Sequence, residues 1–257
     1  MTDSLSFDRA SEFYDATRSL PSAVMERVVE LLRAELRGHD TCLEIGVGTG
    51  RIALPLREAG ITMAGVDLSL PMMAKLVEKS GRRTPFPLAV ADATRLPFRD
   101  DAFGASLACH VLHLILDWRV AVSELVRVTC PGGVILIDLG GWGGGPRKEV
   151  EKRFEKEARI DNPRPGATDP SGLDEAMATL GALYRELPEV RVMRTVDLGE
   201  LLQRIENGVY SFTWHVDDAE RVRAARATRE WAEERFGNLD QALEHELVVS
   251  WRAYDLP

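Results

Sequence analysis

The chain has 257 residues, 45% hydrophobic and 28% charged, which excludes a disordered or fibrous polypeptide and leaves room for one large domain or two small ones. With 41 Asp and Glu against 32 Lys and Arg, the net charge of -9 disfavours a sequence-independent grip on nucleic-acid backbone and points to a small-molecule partner. Cys42, Cys109 and Cys130 do not make a secreted disulfide framework, and no run approaches the roughly 18 apolar residues that span a membrane, so the expected location is the cytoplasm.

Pro21 and Ser22 open a segment in which Val24, Val28, Leu31, Leu32 and Leu36 recur at helical spacing up to Gly38. Short apolar runs follow at Thr41 to Ile45, Ile61 to Val66, Leu88 to Ala91, Ala105 to Cys109 and Val134 to Asp138. Helical patterns lie between them at Gly50 to Ala59, Pro71 to Lys79 and Arg119 to Val128. Strands short enough to be buried on both faces, alternating with helices, predict an α/β fold with a parallel sheet.

Alternation fails after Asp138. A Gly-rich stretch from Gly140 to Pro146 precedes a charged helix from Arg147 to about Ile160, with an apolar stripe of Val150, Phe154 and Ala158, and then a Pro/Gly-rich loop to Gly172. Beyond it the pattern predicts a helix at Leu173 to Tyr184, a strand at Val190 to Val196, helices at Leu198 to Glu206 and Asp218 to Phe236, and a last strand at His245 to Tyr254. The expected organisation is a single domain over 1–257. It comprises amino-terminal cap helices over 1–38, a ligand-binding core over 39–139, helical insertions with one sheet strand over 140–236, and a terminal strand over 237–257. The insertions look too small for a core of their own, which casts them as a cap over the carboxyl edge of the sheet, where open α/β sheets bind ligands. Arg221, Arg223, Arg226 and Arg229 alternate with Glu220, Glu230, Glu233 and Glu234, the pattern of a solvated helix face.

Chemistry concentrates in Leu43-Glu44-Ile45-Gly46-Val47-Gly48-Thr49-Gly50, a strand that runs into a glycine turn and then a helix. Glycine lets a ligand lie against bare backbone, and the helix start offers free N–H groups with partial positive charge. Asp67, at the tip of the next strand, can take both hydroxyls of a ribose. Together these indicate a nucleoside-containing ligand. Gly48 to Ala53 reads G-x-G-x-x-A, so a dinucleotide-binding oxidoreductase using NAD(P) is one alternative.

The E-x-G-x-G-x-G arrangement of Glu44, Gly46, Gly48 and Gly50 resembles motif I of the class I S-adenosylmethionine-dependent methyltransferases. Ala91-Asp92-Ala93-Thr94-Arg95-Leu96-Pro97-Phe98 resembles the adenine-contacting segment of that family. Phe103 to Trp118 is similar to its fourth strand and following loop, and Val126-Arg127-Val128-Thr129-Cys130-Pro131-Gly132-Gly133 to the turn before its fifth strand. The likeness is greatest to the broad group containing the ubiquinone and menaquinone biosynthesis methyltransferases. Phe13-Tyr14-Asp15-Ala16-Thr17-Arg18 resembles the segment that folds over the cofactor in that group.

The resemblance implies a Rossmann-like, seven-stranded, mostly parallel sheet with helices on both faces and an inserted helical cap. It also implies S-adenosyl-L-methionine as cofactor and methyl transfer to a small-molecule acceptor by in-line displacement. Cofactor contacts fall by the same likeness on Tyr14 and Arg18, on Glu44, Gly46, Gly48 and Gly50, on Asp67, Leu68 and Met72, and on Asp92, Ala93 and His110. His113, more than His110, is the expected proton acceptor, because it lies in the loop after the fourth strand, where the family presents groups to the methyl. A protein that binds S-adenosylmethionine without transferring methyl is the other alternative. No Cys/His spacing marks a metal site, and neither a membrane nor a nucleic acid is an expected partner.

Overall fold

The structure is a computed structural model that describes residues 14–15, 20–140, 144–161 and 164–257. Its main sheet has seven strands in the order β3-β2-β1-β4-β5-β9-β6. They are β1 (Thr41–Ile45), β2 (Thr62–Asp67), β3 (Leu88–Val90), β4 (Phe103–Cys109), β5 (Thr129–Asp138), β6 (Leu183–Glu186) and β9 (Arg252–Asp255). β1 pairs in parallel with β2 and β4, β4 in parallel with β5, and β9 runs antiparallel between β5 and β6. The α/β expectation and the seven-stranded, mostly parallel sheet are thus what the chain adopts. From β1 the chain steps outward to β2 and β3, then returns to β4 on the other side of β1. That reversal opens a crevice at the carboxyl ends of β1 and β4.

Local patterning explains the helices of this unit. In α1 (Ser22–Leu36), Val24, Val28, Leu32 and Leu36 are buried and recur every four residues along one face. Each such side chain contributes about 1.5 to 3 kcal/mol on full burial. α2 (Ala53–Glu58) leads away from the glycine turn. α3 (Leu70–Lys79) is capped by the Ser69 hydroxyl, which accepts from the Met72 N–H at 3.3 Å. α4 (Trp118–Val128) buries Ala121, Val122, Leu125 and Val128. Gly104 stands where a Cβ would lie 2.7 Å from the Asp40 backbone nitrogen, so only glycine permits that approach.

The carboxyl-terminal half departs from expectation in three places. Leu183 and Tyr184, expected as the end of a helix, open the edge strand β6 (Leu183–Glu186), and the helix α6 (Pro170–Thr179) stops earlier. Val190–Val196 is a strand, β7, but pairs with β8 (Leu243–Val249) in a separate two-stranded sheet. The single terminal strand read from His245 to Tyr254 is two strands belonging to two sheets, divided at Ser250 and Trp251.

The fourth difference concerns domains. The chain divides into one compact unit of Met1–Gly140, Pro165–Val190 and Ser250–Pro257 and a second of Gly141–Arg164 and Arg191–Val249. The second unit contains α5 (Gly145–Glu157), α7 (Leu198–Glu206) and α8 (Asp218–Phe236) with β7 and β8. It has a hydrophobic cluster of its own, including Val150, Phe154, Leu198, Leu202, Ile205, Tyr210 and Phe212, contrary to the single-core expectation. Segments distant in sequence pool their apolar faces, and the sum is enough for a core. Tyr210 and Phe212 stack at 5.6 Å within it, so the aromatic stretch from Tyr210 to His215 contributes packing.

Candidate functional site

The turn after β1 holds three glycines in the left-handed region, with φ of +64° at Gly46, +52° at Gly48 and +74° at Gly50. They are required for different reasons. A Cβ on Gly46 would meet Val111 Cγ2 at 2.4 Å, and one on Gly50 would meet Leu54 and Leu76 at 2.8 Å, so both are pinned by the protein's own packing. A Cβ on Gly48 would have Met72 Cε at 3.3 Å, Gly46 O at 3.8 Å and Asp67 Oδ2 at 3.9 Å as its nearest neighbours, so it would crowd the flexible end of Met72 beside Asp67.

Asp67, at the end of β2, is fixed by the backbone around it: Gly48 N–H donates to Oδ2 and Ser69 N–H to Oδ1, each at 2.8 Å. The carboxylate is thereby held against the glycine turn, the place of a ribose-binding acid in such sheets. Leu68 beside it is 38% exposed, whereas Met72 is buried under the turn. Across the neighbouring strand, Ala91 N–H donates to Asp67 O at 3.1 Å, which brings the Asp92 and Ala93 segment alongside. Asp92 Oδ1 accepts from the Thr94 N–H at 2.9 Å and the Thr94 hydroxyl at 2.8 Å, so this side chain shapes its own turn. Ala93 is buried in the core cluster.

Tyr14, Glu44, Gly46, Val47, Gly48, Thr49, Arg51, Ile52 and Cys109 line a narrow cleft at this switch point. Glu44 is 3% exposed, and its Oε2 has no hydrogen-bond partner among the described residues. Burial pushes its carboxyl up to about 8, against the opposing pull of the Arg51 guanidinium and the Ala53 N–H. Arg51 donates to Cys109 Sγ at 3.2 Å. Asp15 accepts from the Thr49 hydroxyl at 2.6 Å and from Lys79 Nζ at 2.9 Å, which ties it to the glycine turn and to α3. Arg18 lies outside the described residues.

The loop after β4 carries both candidate bases. His110 takes a left-handed φ of +53°, unusual for a residue with a Cβ. Its N–H donates to Asp138 O at 2.9 Å and its Nε2 lies 3.6 Å from Asp138 Oδ2. The Gly140 N–H holds the other oxygen, Asp138 Oδ1, at 2.6 Å. His113, on the 3-10 turn Leu112–Leu114, sets its ring nearly perpendicular to that of His110 at 6.4 Å between centroids. The backbone of this turn is clamped by Gly166 N–H to His113 O and Ala167 N–H to Leu112 O, both at 3.0 Å.

Cys109, His110 and Asp138 also bring one sulfur, one nitrogen and one oxygen within 4.8 Å of one another. The Arg51 guanidinium already supplies positive charge there, and burial holds the Cys109 thiol well above its ordinary value, so the sulfur stays a neutral donor toward Asp138 Oδ2 at 3.9 Å. The structure therefore gathers Tyr14, Glu44, Gly46 and Gly48 at one cleft, with Asp67 bound to the Gly48 N–H, Met72 packed beside Gly48 and His110 beside Cys109. Sequence reading missed Arg51, Thr49, Asp15 and Asp138. Thr49 and Arg51 lie in or beside the glycine motif and Asp15 in the Phe13 to Arg18 segment, so these three carry a local signal, whereas Asp138 comes from a distant strand and has none.

The parallel sheet, its switch point and the glycine turn facing an acid at the tip of β2 define the fold of the class I S-adenosylmethionine-dependent methyltransferases. Residues 43–137 match the methyltransferase domain family. Among curated proteins the chain is similar to a demethylmenaquinone methyltransferase of Streptomyces avermitilis, at 37% identity over 136 residues, covering 51% of this chain and 57% of the relative. The chain thus spans little more than half the length of that relative. Among solved structures it resembles the YcgJ protein of Bacillus subtilis with a TM-score of 0.63 at 18% identity, covering 92% of this chain and 99% of that one. It also resembles phosphoethanolamine N-methyltransferase 2 of Haemonchus contortus, solved with phosphomonomethylethanolamine and S-adenosylhomocysteine, with a TM-score of 0.57 at 18% identity and coverage of 97% and 57%.

Proposed function

We propose that this chain is an S-adenosyl-L-methionine-dependent methyltransferase acting on a small-molecule acceptor. The observation that carries the reading is Glu44: a buried carboxyl with an unpartnered oxygen, in a cleft floored by a left-handed glycine turn and flanked by Asp67. A ligand with an ammonium at one end and a ribose at the other matches both acids. The fit extends to Gly48, where a side chain would enter the space beside Asp67 and Met72. The matched family and the small-molecule substrates in the relatives' names support the same reading.

When bound, S-adenosylmethionine supplies a methyl group activated by a sulfonium. Glu44 and Asp67 hold the two ends of the ligand, while Asp92 and Ala93 flank its base and Tyr14 lies at the cleft wall. The chain's main catalytic task is alignment for an in-line displacement, together with exclusion of water. Where the acceptor is an oxygen or carbon acid, His110 takes the proton. The Asp138 carboxylate beside it stabilises the imidazolium, which reverses the order of His113 and His110 expected from sequence. A cytoplasmic location accords with the free Cys42, Cys109 and Cys130, and no helix among the described residues is long and apolar enough to cross a membrane.

Calorimetry with S-adenosylhomocysteine and NADH tests the cofactor: the first should bind and the second should not. Transfer of labelled methyl from S-adenosylmethionine to a panel of oxygen, nitrogen and carbon acceptors then tests catalysis. Binding of S-adenosylhomocysteine without transfer to any acceptor would make the chain a non-catalytic binder.

A further inference from the structure

Side chains alternate between the two faces of a sheet. Leu43, Ile45, Ala108, Ile135, Ile137 and Tyr254 belong to one core cluster and so share one face. Glu44, Cys109 and Asp138 therefore lie on the other, with Cys109 directly paired to Asp138. β9 pairs with β5 through Ile137 and Arg252, so continuing the register by one residue sets Trp251 opposite Asp138. Trp251 thus stands on the same face and at the same carboxyl edge as the cofactor cleft. It lies one strand beyond Asp138 and two beyond Cys109, or roughly 10 Å at about 4.8 Å per strand.

Trp251 is 1% exposed, and its indole Nε1 has no hydrogen-bond partner among the described residues. A buried N–H left unmade is rare and unfavourable, so one in a folded protein calls for a partner. The other buried unpartnered atom on this face, Glu44 Oε2, is an acceptor and lines the cofactor cleft. Trp251 is a donor and lies beyond that cleft, past Asp138.

We propose that Trp251 is the acceptor-recognition residue: its indole N–H binds a hydrogen-bond-accepting oxygen of the methyl acceptor, on the side of that molecule away from the cofactor. The inference rests on the methyltransferase reading and adds to it a substrate class. The acceptor is a small molecule that carries a carbonyl, carboxylate or hydroxyl oxygen besides the atom that is methylated. An acceptor that is purely hydrocarbon around the methylated atom would leave the indole N–H buried and unmade.

The test has two arms on the full chain. In the first, the Trp251 indole is replaced by its benzothiophene isostere, which keeps the shape and removes the N–H, and thermal unfolding is followed without ligand. A melting temperature equal to or above that of the unmodified protein is expected, since an unpaired donor has been deleted. A lower one would show the N–H to be a structural donor and overturn the proposal. In the second, the indole resonances are observed with saturating S-adenosylhomocysteine, Trp251 being assigned by its loss in Trp251→Phe. 1,4-Dihydroxynaphthalene and naphthalene are then added. The diol should bind about three- to tenfold more tightly than the hydrocarbon and shift the Trp251 N–H downfield, and Trp251→Phe should abolish that preference while leaving S-adenosylhomocysteine affinity within about twofold. Equal affinity for the two probes, no affinity for either, or a bound diol that leaves the Trp251 resonance in place would each overturn the inference while the methyltransferase reading stands. Failure of S-adenosylhomocysteine to bind would overturn both.

Discussion

Replacing Glu44 by glutamine removes a carboxyl group that burial raises from 4.5 to about 8, with the Arg51 guanidinium pulling the other way. At 3% exposure the group is little screened by solvent, so the shift acts on stability. Below pH 4.5 the acid is protonated in both the folded and the unfolded chain, and this contribution to folding is fully present. As pH rises through 4.5 the unfolded chain ionises while the folded one keeps its proton. The folded state therefore loses ground until about pH 8, above which both are ionised and the loss levels off. One pKa unit is about 1.4 kcal/mol, so the loss between pH 5 and pH 8 is roughly 3 kcal/mol.

Glu44→Gln keeps an oxygen to accept the Ala53 N–H and has no proton to lose. Denaturant titrations without ligand should find the two proteins within about 1 kcal/mol of each other at pH 5, and the variant more stable by roughly 3 to 4 kcal/mol at pH 8. A ligand ammonium set against Oε2 would favour the ionised acid, so S-adenosylmethionine should release close to one proton on binding at pH 7. Calorimetry in two buffers of different ionisation enthalpy measures this, and the release should vanish in Glu44→Gln together with about a ten- to hundredfold loss of affinity. Parallel pH–stability curves for the two proteins would refute the burial argument. A release unaltered by Glu44→Gln would refute the placement of the ammonium.

Three further outcomes follow from the same site. Asp67→Ala should weaken S-adenosylhomocysteine about ten- to a hundredfold by calorimetry. Asp67→Asn should fall less, because it keeps one acceptor for the Gly48 and Ser69 N–H groups; full affinity in a folded Asp67→Ala protein would remove the ribose assignment. Gly46→Ala combines a left-handed φ of +64° with an overlap on Val111 and should cost about 2 to 4 kcal/mol in denaturant unfolding. Adding Val111→Ala should restore only part of the packing loss, because the Val111 Cβ itself would lie 2.7 Å from the new methyl, and a Gly46→Ala protein as stable as the parent would contradict the geometry. With an acceptor in hand, His110→Ala should lower turnover about 10² to 10⁴-fold with cofactor affinity within about threefold, and His113→Ala should have the smaller effect. The opposite ranking would return the role of base to His113.

Local sequence was sufficient for the amino-terminal half. The strands β1, β2, β4 and β5, the helices between them, the glycine turn and Asp67 are all set by neighbours within a few residues, through burial on both faces and through backbone conformations open only to glycine. The nucleoside ligand was legible for the same reason, since the turn and the acid that would bind it are short motifs. Beyond residue 140 the local signal for strand or helix survived in part, but the partner of each strand did not. Val190–Val196 was read correctly as a strand, yet only the folded chain decided that it pairs with Leu243–Val249 in a second sheet. Leu183–Glu186 is exposed throughout, so no alternation of buried and open positions marked it as the edge of the first. The tertiary structure alone set Asp138 beside His110 and Asp15 on Thr49, and buried Trp251 with its indole N–H unpaired among the described residues. These placements depend on pairing between segments dozens of residues apart, and hydrogen-bond register across strands is a property of two segments that neither one encodes by itself.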